Sequence, residues 1–396
     1  MRSRRPRDQC ERVRRALRDS RCSTAGCFLR CNRATYILYV LNDPLNEMFE
    51  FSWLDVCPIP LCKTICALGA YLFRIIRPAS AWFGVQCDDC PMFATRHTKD
   101  DIESAWPQHT PGPNTSDPAT ATADAAFGSA PGLYPIPAAH DVEQRWHRAV
   151  ALGGQGRYAA ARSELSRLRR QTGPTGSWAS LVASTEGSLL RQLGDHRAAA
   201  ASDGAALAAI GTGTAPQEDP EARIRAVRAR CDALTGLAAD SLGTAGPVLA
   251  RDLLKRCAAV LHEGEEAEGE TPFLRQQVRL AWVSAESALA FADFERARAF
   301  ADRAVAVAAR YGSVRHAVKS DLIRAASLTG DTDRDPARSL ARAVFERTGE
   351  HGLIPLRWAA AMLLDGIGGG ADAAAAGKAC ATTIVHRGGR FAPIGR

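Results

Sequence analysis

A turn motif that recurs from about residue 140 onward constrains the fold of this chain more than any other feature. At each copy a small residue is followed two positions later by a side chain that can fill a hairpin corner, and three positions after that by alanine. The clearest copies are Gly156-Arg157-Tyr158 with Ala161, Gly194-Asp195-His196 with Ala199, and Ala292-Asp293-Phe294 with Ala297. Because a small residue permits tight chain reversal, we predict antiparallel helix hairpins joined at these turns.

The spacing of the turns predicts five stacked hairpins. Gly156 and Gly194 are 38 residues apart, and the 98 residues from Gly194 to Ala292 leave room for two units with insertions. We place the intervening turn around Gly243 and a fifth turn at Gly330. Five hairpins of this kind can bury their apolar faces against one another as a solenoid.

The pattern resembles the tetratricopeptide repeat family over about residues 140–346. Small residues stand midway along the predicted first helices, and alanines stand near the start of the second helices: Ala149, Gly187, Gly236 and Ala285, then Ala161, Ala199, Ala297 and Ala337. The family's tryptophan-leucine-glycine signature is absent, and the unit length varies. The resemblance implies an all-α solenoid that binds a partner; an irregular all-helical domain is the alternative.

Composition divides the chain into four regions. Residues 1–110 are rich in cysteine and have no lasting amphipathic period, so we expect poor order there or translation upstream of a misassigned start codon. Residues 111–139 are rich in proline, threonine and alanine and predict a linker. Residues 140–365 form the predicted helical-repeat domain, and residues 366–396 a glycine-rich tail.

The net charge of +7 gives no reason to expect a polyanion as the partner of the helical region. Of the 50 basic residues only 5 are lysine, which indicates a GC-rich genome rather than nucleic-acid recognition. Residues 1–33 hold 11 arginines against three carboxylates, so the remainder of the chain is close to neutral. Because this remainder has no excess of basic residues, we do not expect nucleic acid as a partner. We do not expect a membrane either, since uninterrupted 20-residue apolar runs are absent.

The twelve cysteines leave one alternative open. Nine lie at or before Cys90, in two C-x4-C-x3-C groups that begin at Cys22 and Cys57 and in the pair Cys87 and Cys90, among others. Structural zinc sites usually combine two C-x2-C pairs, and only Cys87 and Cys90 have this spacing here. We therefore expect no metal or other cofactor. The remaining cysteines are isolated, and the arginine-rich start is not followed by the apolar core and small-residue cleavage site of a signal peptide. We therefore expect a reducing, cytoplasmic location without disulfides in the helical region.

Candidate binding residues follow from the repeat template. The template places two tryptophans and four arginines on the groove-facing side of the first helices, where aromatic and guanidinium groups would suit an extended, acidic peptide. These residues are Trp146, Arg191, Arg230, Arg279, Trp282 and Arg324. The alternative is that the tryptophans are core residues and the arginines solvated surface.

Histidines and carboxylates of the helical region show no catalytic spacing, so we expect no enzymatic activity. The sequence therefore predicts a non-catalytic protein–protein interaction scaffold that binds a partner peptide on a helical-repeat surface. The alternative function is a regulatory protein with a metal- or nucleic-acid-binding N-terminus and a helical sensor body.

Overall fold

The computed structural model describes residues 117–211, 219–244, 246–369 and 371–392. The Cys-rich region 1–110, with its candidate metal-binding cysteines, lies outside these residues. By its contacts the chain divides into two units, Met1–Val56 and Cys57–Arg396, and every described residue belongs to the second.

The described residues form thirteen α-helices and no β-strand, which confirms the all-α fold class. Two 3₁₀ turns, Thr271–Phe273 and Leu328–Gly330, precede the eighth helix and follow the tenth. In chain order the helices are α1 (Pro118–Phe127), α2 (Val142–Gly154), α3 (Tyr158–Thr172), α4 (Ser177–Gln192), α5 (His196–Ile210), α6 (Pro220–Gly243), α7 (Pro247–Glu268), α8 (Leu274–Ala290), α9 (Phe294–Tyr311), α10 (Val314–Ser327), α11 (Asp335–Glu350), α12 (Ile354–Gly366) and α13 (Ala371–His386).

Consecutive helices pack as six hairpins: α2 with α3, α4 with α5, α6 with α7, α8 with α9, α10 with α11, and α12 with α13. We call the first helix of each hairpin its A helix and the second its B helix. Each A helix also contacts the A helix of the next hairpin, so the six lie side by side. This arrangement confirms the predicted stack of helix hairpins and is compatible with a helical repeat.

The predicted turns lie between the A and B helices. Gly156 and Gly194 adopt positive φ angles of 75° and 83°, a conformation that costs glycine little. Ala292 adopts a φ of 55°, which is unusual for a residue with a Cβ atom. Asp293 then caps α9 by accepting a hydrogen bond from the backbone N–H of Arg296 at 3.0 Å.

The alanines of the motif are buried where the two helices of a hairpin meet. Tyr158, which begins α3, is also fully buried, as expected for a residue that fills the hairpin corner. The sixth and the third hairpin supply two alanines, Ala373 and Ala250, that the sequence pattern did not identify. The buried B-helix alanines are Ala161, Ala199, Ala250, Ala297, Ala337 and Ala373.

The region predicted as a linker is partly helical and packs on the repeat. Pro118 stands in the first turn of α1, where its missing N–H costs nothing, and alanines follow it. Ala126, Leu133 and Ile136 are buried in one core cluster with Trp146 of α2. The Pro/Thr/Ala composition thus favoured a linker, but the apolar residues within this segment pack against the first hairpin.

The glycine-rich tail contains the last helix. Gly368, with a φ of 84°, and Gly369 lie in the turn of a sixth hairpin, and α13 begins at Ala371. Cys380 and Ile384 of α13 are buried in the same core cluster as Tyr158 of the first hairpin. The sequence predicted a glycine-rich tail here because a helix of small residues carries a weak apolar pattern. Its burial depends on a distant hairpin.

The last hairpin therefore meets the first, and α12 contacts α2. The backbone N–H of Ala159 donates to the carbonyl of Arg387 at 3.0 Å, and that of Ala392 donates to the carbonyl of Leu193 at 2.8 Å. The guanidinium of Arg387 donates to the carbonyl of Gln155 at 3.0 Å. Because of these contacts all six A helices line one cavity.

Candidate binding cavity

The A helices line a cavity of about 210 Å³ that is partly open to solvent, and we call it the central cavity. Every side chain that lines it comes from one of the six A helices, with the exception of Phe127 at the end of α1. Since a drug-sized ligand usually occupies a pocket of about 300–1,000 Å³, this cavity suits a smaller molecule or a single inserted side chain.

Four cations face the cavity from two neighbouring A helices. Arg275 and Arg279 lie one turn apart on α8, and Arg315 and Lys319 lie one turn apart on α10. Residues four positions apart share one face of a helix, so both pairs point inward together. Asp232 of α6 pairs with Arg275 at 2.5 Å and with Arg279 at 3.0 Å.

Lys319 and Glu286 form a looser pair at the same cavity. The ammonium nitrogen of Lys319 lies 3.8 Å from a carboxylate oxygen of Glu286 and 4.4 Å from the centre of the Trp282 ring. Burial raises the pKa of Glu286 and lowers that of Lys319, because both lose hydration. The pair is thus held in a poorly hydrated part of the cavity wall.

Arg315 has no carboxylate within 4 Å among the residues that the structure describes. Its guanidinium contacts the carbonyl of Val150 at 3.4 Å, a long and weak hydrogen bond. Burial, together with the nearby guanidinium groups of Arg275 and Arg279, lowers the pKa of Arg315 to about 10. It remains charged at neutral pH and lacks a counter-charge.

Arg191 of α4 also lines the cavity and is neutralised by two carboxylates. It lies 2.8 Å from Asp203 of α5 and 2.5 Å from Asp240 of α6. Burial raises the pKa of Asp203 to about 7, and the adjacent Asp240 adds to the rise. Gly187 and Gly236, the predicted small positions of α4 and α6, leave the space that this carboxylate occupies: a Cβ at either would lie within 3.0 Å of it.

Both predicted tryptophans line the cavity, yet each is largely buried in its wall. Trp146 is 8% exposed and donates its indole N–H to Thr185 of α4 at 3.0 Å. Trp282 is 5% exposed and donates to Ser320 of α10 at 2.9 Å. The tryptophans therefore join neighbouring A helices and present only part of their surface to a ligand.

Two histidines near the cavity are held in the neutral form. Burial, followed by the charge of Arg275, lowers the pKa of His147 to about 4. Burial and the charge of Arg315 lower the pKa of His316 well below its usual value. His316 also stacks on the Trp282 ring, with ring centres 5.2 Å apart, so it adds apolar surface rather than charge.

The structure brings four of the six predicted binding residues together: Trp146, Arg191, Arg279 and Trp282 line the central cavity. Arg230 is directed elsewhere and donates to the carbonyl of Gly211 at 3.1 Å. Arg324 pairs with Asp302 of the B helix α9 at 2.9 Å and is about half exposed. Helical phase explains the difference, because each lies on a side of its A helix that faces away from the interior.

Sequence reasoning missed Arg275, Arg315, Lys319, Asp232 and Phe127. For the cations a signal was present, since two pairs of basic residues four positions apart stand at the starts of successive A helices. No pattern in the sequence pointed to Phe127. It lies in the predicted linker, and its ring packs 5.2 Å from that of Trp146.

Within the described ranges, groups of three or more histidine, cysteine or acidic side chains suitable for a metal ion are absent. No helix in those ranges is long and apolar enough to cross a membrane. No protein-family model matches the chain, and neither the curated proteins nor the solved structures contain a match.

Proposed function

We propose that this chain is a non-catalytic binding protein that holds a compact ligand in its central cavity. The observation that carries the proposal is a cationic cavity that A helices of all six hairpins line. Concave sites with a few charged groups among apolar side chains are typical of ligand binding. A partner peptide would place one side chain in the cavity, since its volume of about 210 Å³ suits a small group.

Binding rather than catalysis is supported by the state of the ionisable side chains. Asp232 is paired with two arginines, and Arg191 with two carboxylates. Side chains that are ion-paired with one another in this way are poor candidates for proton transfer to a substrate. We infer a scaffold whose ligand site lies at the centre of the stack.

Two finer assignments belong to the same proposal. We infer that the hairpins are degenerate tetratricopeptide-like repeats, on the strength of the small residues midway along the A helices and the buried alanines of the B helices. We also propose a reducing, cytoplasmic environment, because Cys231, Cys257 and Cys380 are buried free thiols.

A cavity-filling substitution tests the function. Ser188 lines the cavity from α4 and is only partly exposed, so Ser188→Trp should occupy the space a ligand needs. Ser166→Trp places the same side chain on the exposed face of α3 and serves as the control. The three purified chains are denatured, and the small molecules and proteins released from each are compared by mass spectrometry.

We expect at least one compound or protein that the wild type and Ser166→Trp retain and Ser188→Trp does not. Melting curves recorded in parallel check that Ser188→Trp is folded. If all three chains release the same set of molecules, the central cavity is not the binding site and the proposal is wrong.

A further inference from the structure

The uncompensated charge of Arg315 points to the chemical class of the ligand. Five cations face or border the central cavity, against four carboxylates: Arg191, Arg275, Arg279, Arg315 and Lys319, and Asp203, Asp232, Asp240 and Glu286. His316, which lines the cavity, and His147, which lies near it, are neutral because of their lowered pKa values. Of the five cations, one has no carboxylate partner.

The unpaired charge is localised at one place. Arg275 and Arg279 share Asp232, Lys319 faces Glu286, and Arg191 has two carboxylates of its own. Arg315 alone among the five has no acidic partner within the described residues. Enclosing a charge without a partner costs free energy, and a bound anion would remove that cost.

Arg315 packs against α2 and lines the central cavity. A Cβ atom at Gly154 would lie 3.1 Å from a terminal nitrogen of Arg315, so the glycine at this position lets the arginine side chain lie close to the α2 backbone. Apolar lining residues complete the cavity around it: Phe127, Val150, Leu322, Leu356 and Trp358. A ligand that satisfies both features has one acidic end and a compact apolar body.

Resting on the proposed function, we propose that the central cavity binds a small organic monocarboxylic acid whose carboxylate pairs with Arg315. A planar guanidinium matches a carboxylate with two parallel hydrogen bonds. One negative charge compensates Arg315, whereas a dianion such as a phosphate monoester brings a second charge for which no unpaired cation is present among the described lining residues. The volume of about 210 Å³ limits the apolar body to about the size of one aromatic ring.

Three probes on the full chain test the acid group by isothermal titration calorimetry. Phenylacetate supplies the carboxylate, phenylacetamide is its neutral counterpart of the same shape, and phenyl phosphate is the dianion. We expect phenylacetate to bind about tenfold more tightly than phenylacetamide, because the amide lacks the charge that strengthens the hydrogen bonds from Arg315. Equal affinity for the acid and the amide, or tighter binding of phenyl phosphate, overturns the proposal.

Arg315→Gln locates the carboxylate, with Arg324→Gln on the same helix as a matched control. Arg324 is half exposed and paired with Asp302 outside the cavity, so its loss should leave the preference for the acid unchanged. Arg315→Gln should bring the affinities for acid and amide close together. It should also leave the melting temperature of the ligand-free chain unchanged or raise it, because an uncompensated charge is removed. A preference for the acid that survives Arg315→Gln overturns the proposal.

Ser188→Trp distinguishes failure of the monocarboxylate proposal from failure of the proposed ligand-binding function. Loss of binding of both phenylacetate and phenylacetamide in this variant, with no acid preference in the wild type, supports the cavity as a ligand site and refutes the carboxylate. Binding of phenylacetate that persists in Ser188→Trp refutes both. A wild-type chain that does not bind phenylacetate refutes the monocarboxylate, while the molecules retained by the purified chain still decide the proposed function.

Discussion

The indole N–H of Trp282 donates to the hydroxyl of Ser320 at 2.9 Å, and this bond joins the A helix of one hairpin to the A helix of the next. Trp146 makes the equivalent bond to Thr185 at 3.0 Å. The acceptors lie 38 and 39 residues after their donors, close to the repeat spacing that the turn motif predicts. Two side chains predicted as ligand contacts thus connect successive repeats.

The first prediction concerns this bond. Trp282→Phe should lower the free energy of unfolding by about 1–2 kcal/mol, because it removes the donor to Ser320 and some buried surface. Trp282→Ala should cost about 3–5 kcal/mol. Both are measured by urea denaturation. Trp178→Phe is the control, since Trp178 is only partly buried; a loss as large as that of Trp282→Phe would contradict the role of the bond.

The second prediction tests the hairpin packing. Ala297 of α9 is fully buried, so Ala297→Leu should overpack the hairpin and cost about 1–3 kcal/mol. Ala299 lies on the same helix and is exposed, so Ala299→Leu should have little effect. Thermal unfolding of the two variants gives the comparison, and equal melting temperatures would show that Ala297 is not at a close helix contact.

The third prediction concerns the segment that precedes the repeats. A chain that begins at residue 140 should melt several degrees below one that begins at residue 117, because it lacks the buried Leu133 and Ile136 and the ring of Phe127. Circular dichroism measures both transitions. Phe127→Ala in the full chain should lower the melting temperature in the same direction; no change in either experiment would mean that α1 adds nothing to stability.

The fourth prediction is a pH dependence. The pKa of Asp203 is raised to about 7, so the folded state holds a proton that the unfolded state releases near the ordinary pKa of 3.8. The stabilisation from this proton is complete below that ordinary pKa and is lost as the pH rises from about 4 to about 7. His147 has the opposite effect, because its lowered pKa makes stability fall as the pH drops below about 6.5.

Asp203→Asn isolates the carboxylate from the histidines. The difference in unfolding free energy between the wild type and this variant should shift in favour of the variant as the pH is raised from 4 to 7. Urea titrations at intervals across that range measure it. A difference that does not change with pH would mean that Asp203 is ionised throughout.

The repeat motif predicted much of the fold because its physical causes are local. Gly156 and Gly194 reverse the chain between the A and B helices of their hairpins, and Ala297 permits close contact between α9 and the preceding helix α8. Each such residue acts within one hairpin, so its role is visible in a short stretch of sequence. The expected interior positions of Arg191 and Arg279 followed from the same local register.

The sequence by itself therefore determined the helices, their pairing and the small residues between them, since these depend on neighbours within about 40 residues. Only the tertiary structure decided that the stack closes, that α1 and α13 belong to it, and that Arg315 faces a cavity without an acidic partner. These features depend on how small rotations between successive hairpins add up. The contact of Ala159 with Arg387, 228 residues later, results from that sum and from no single repeat.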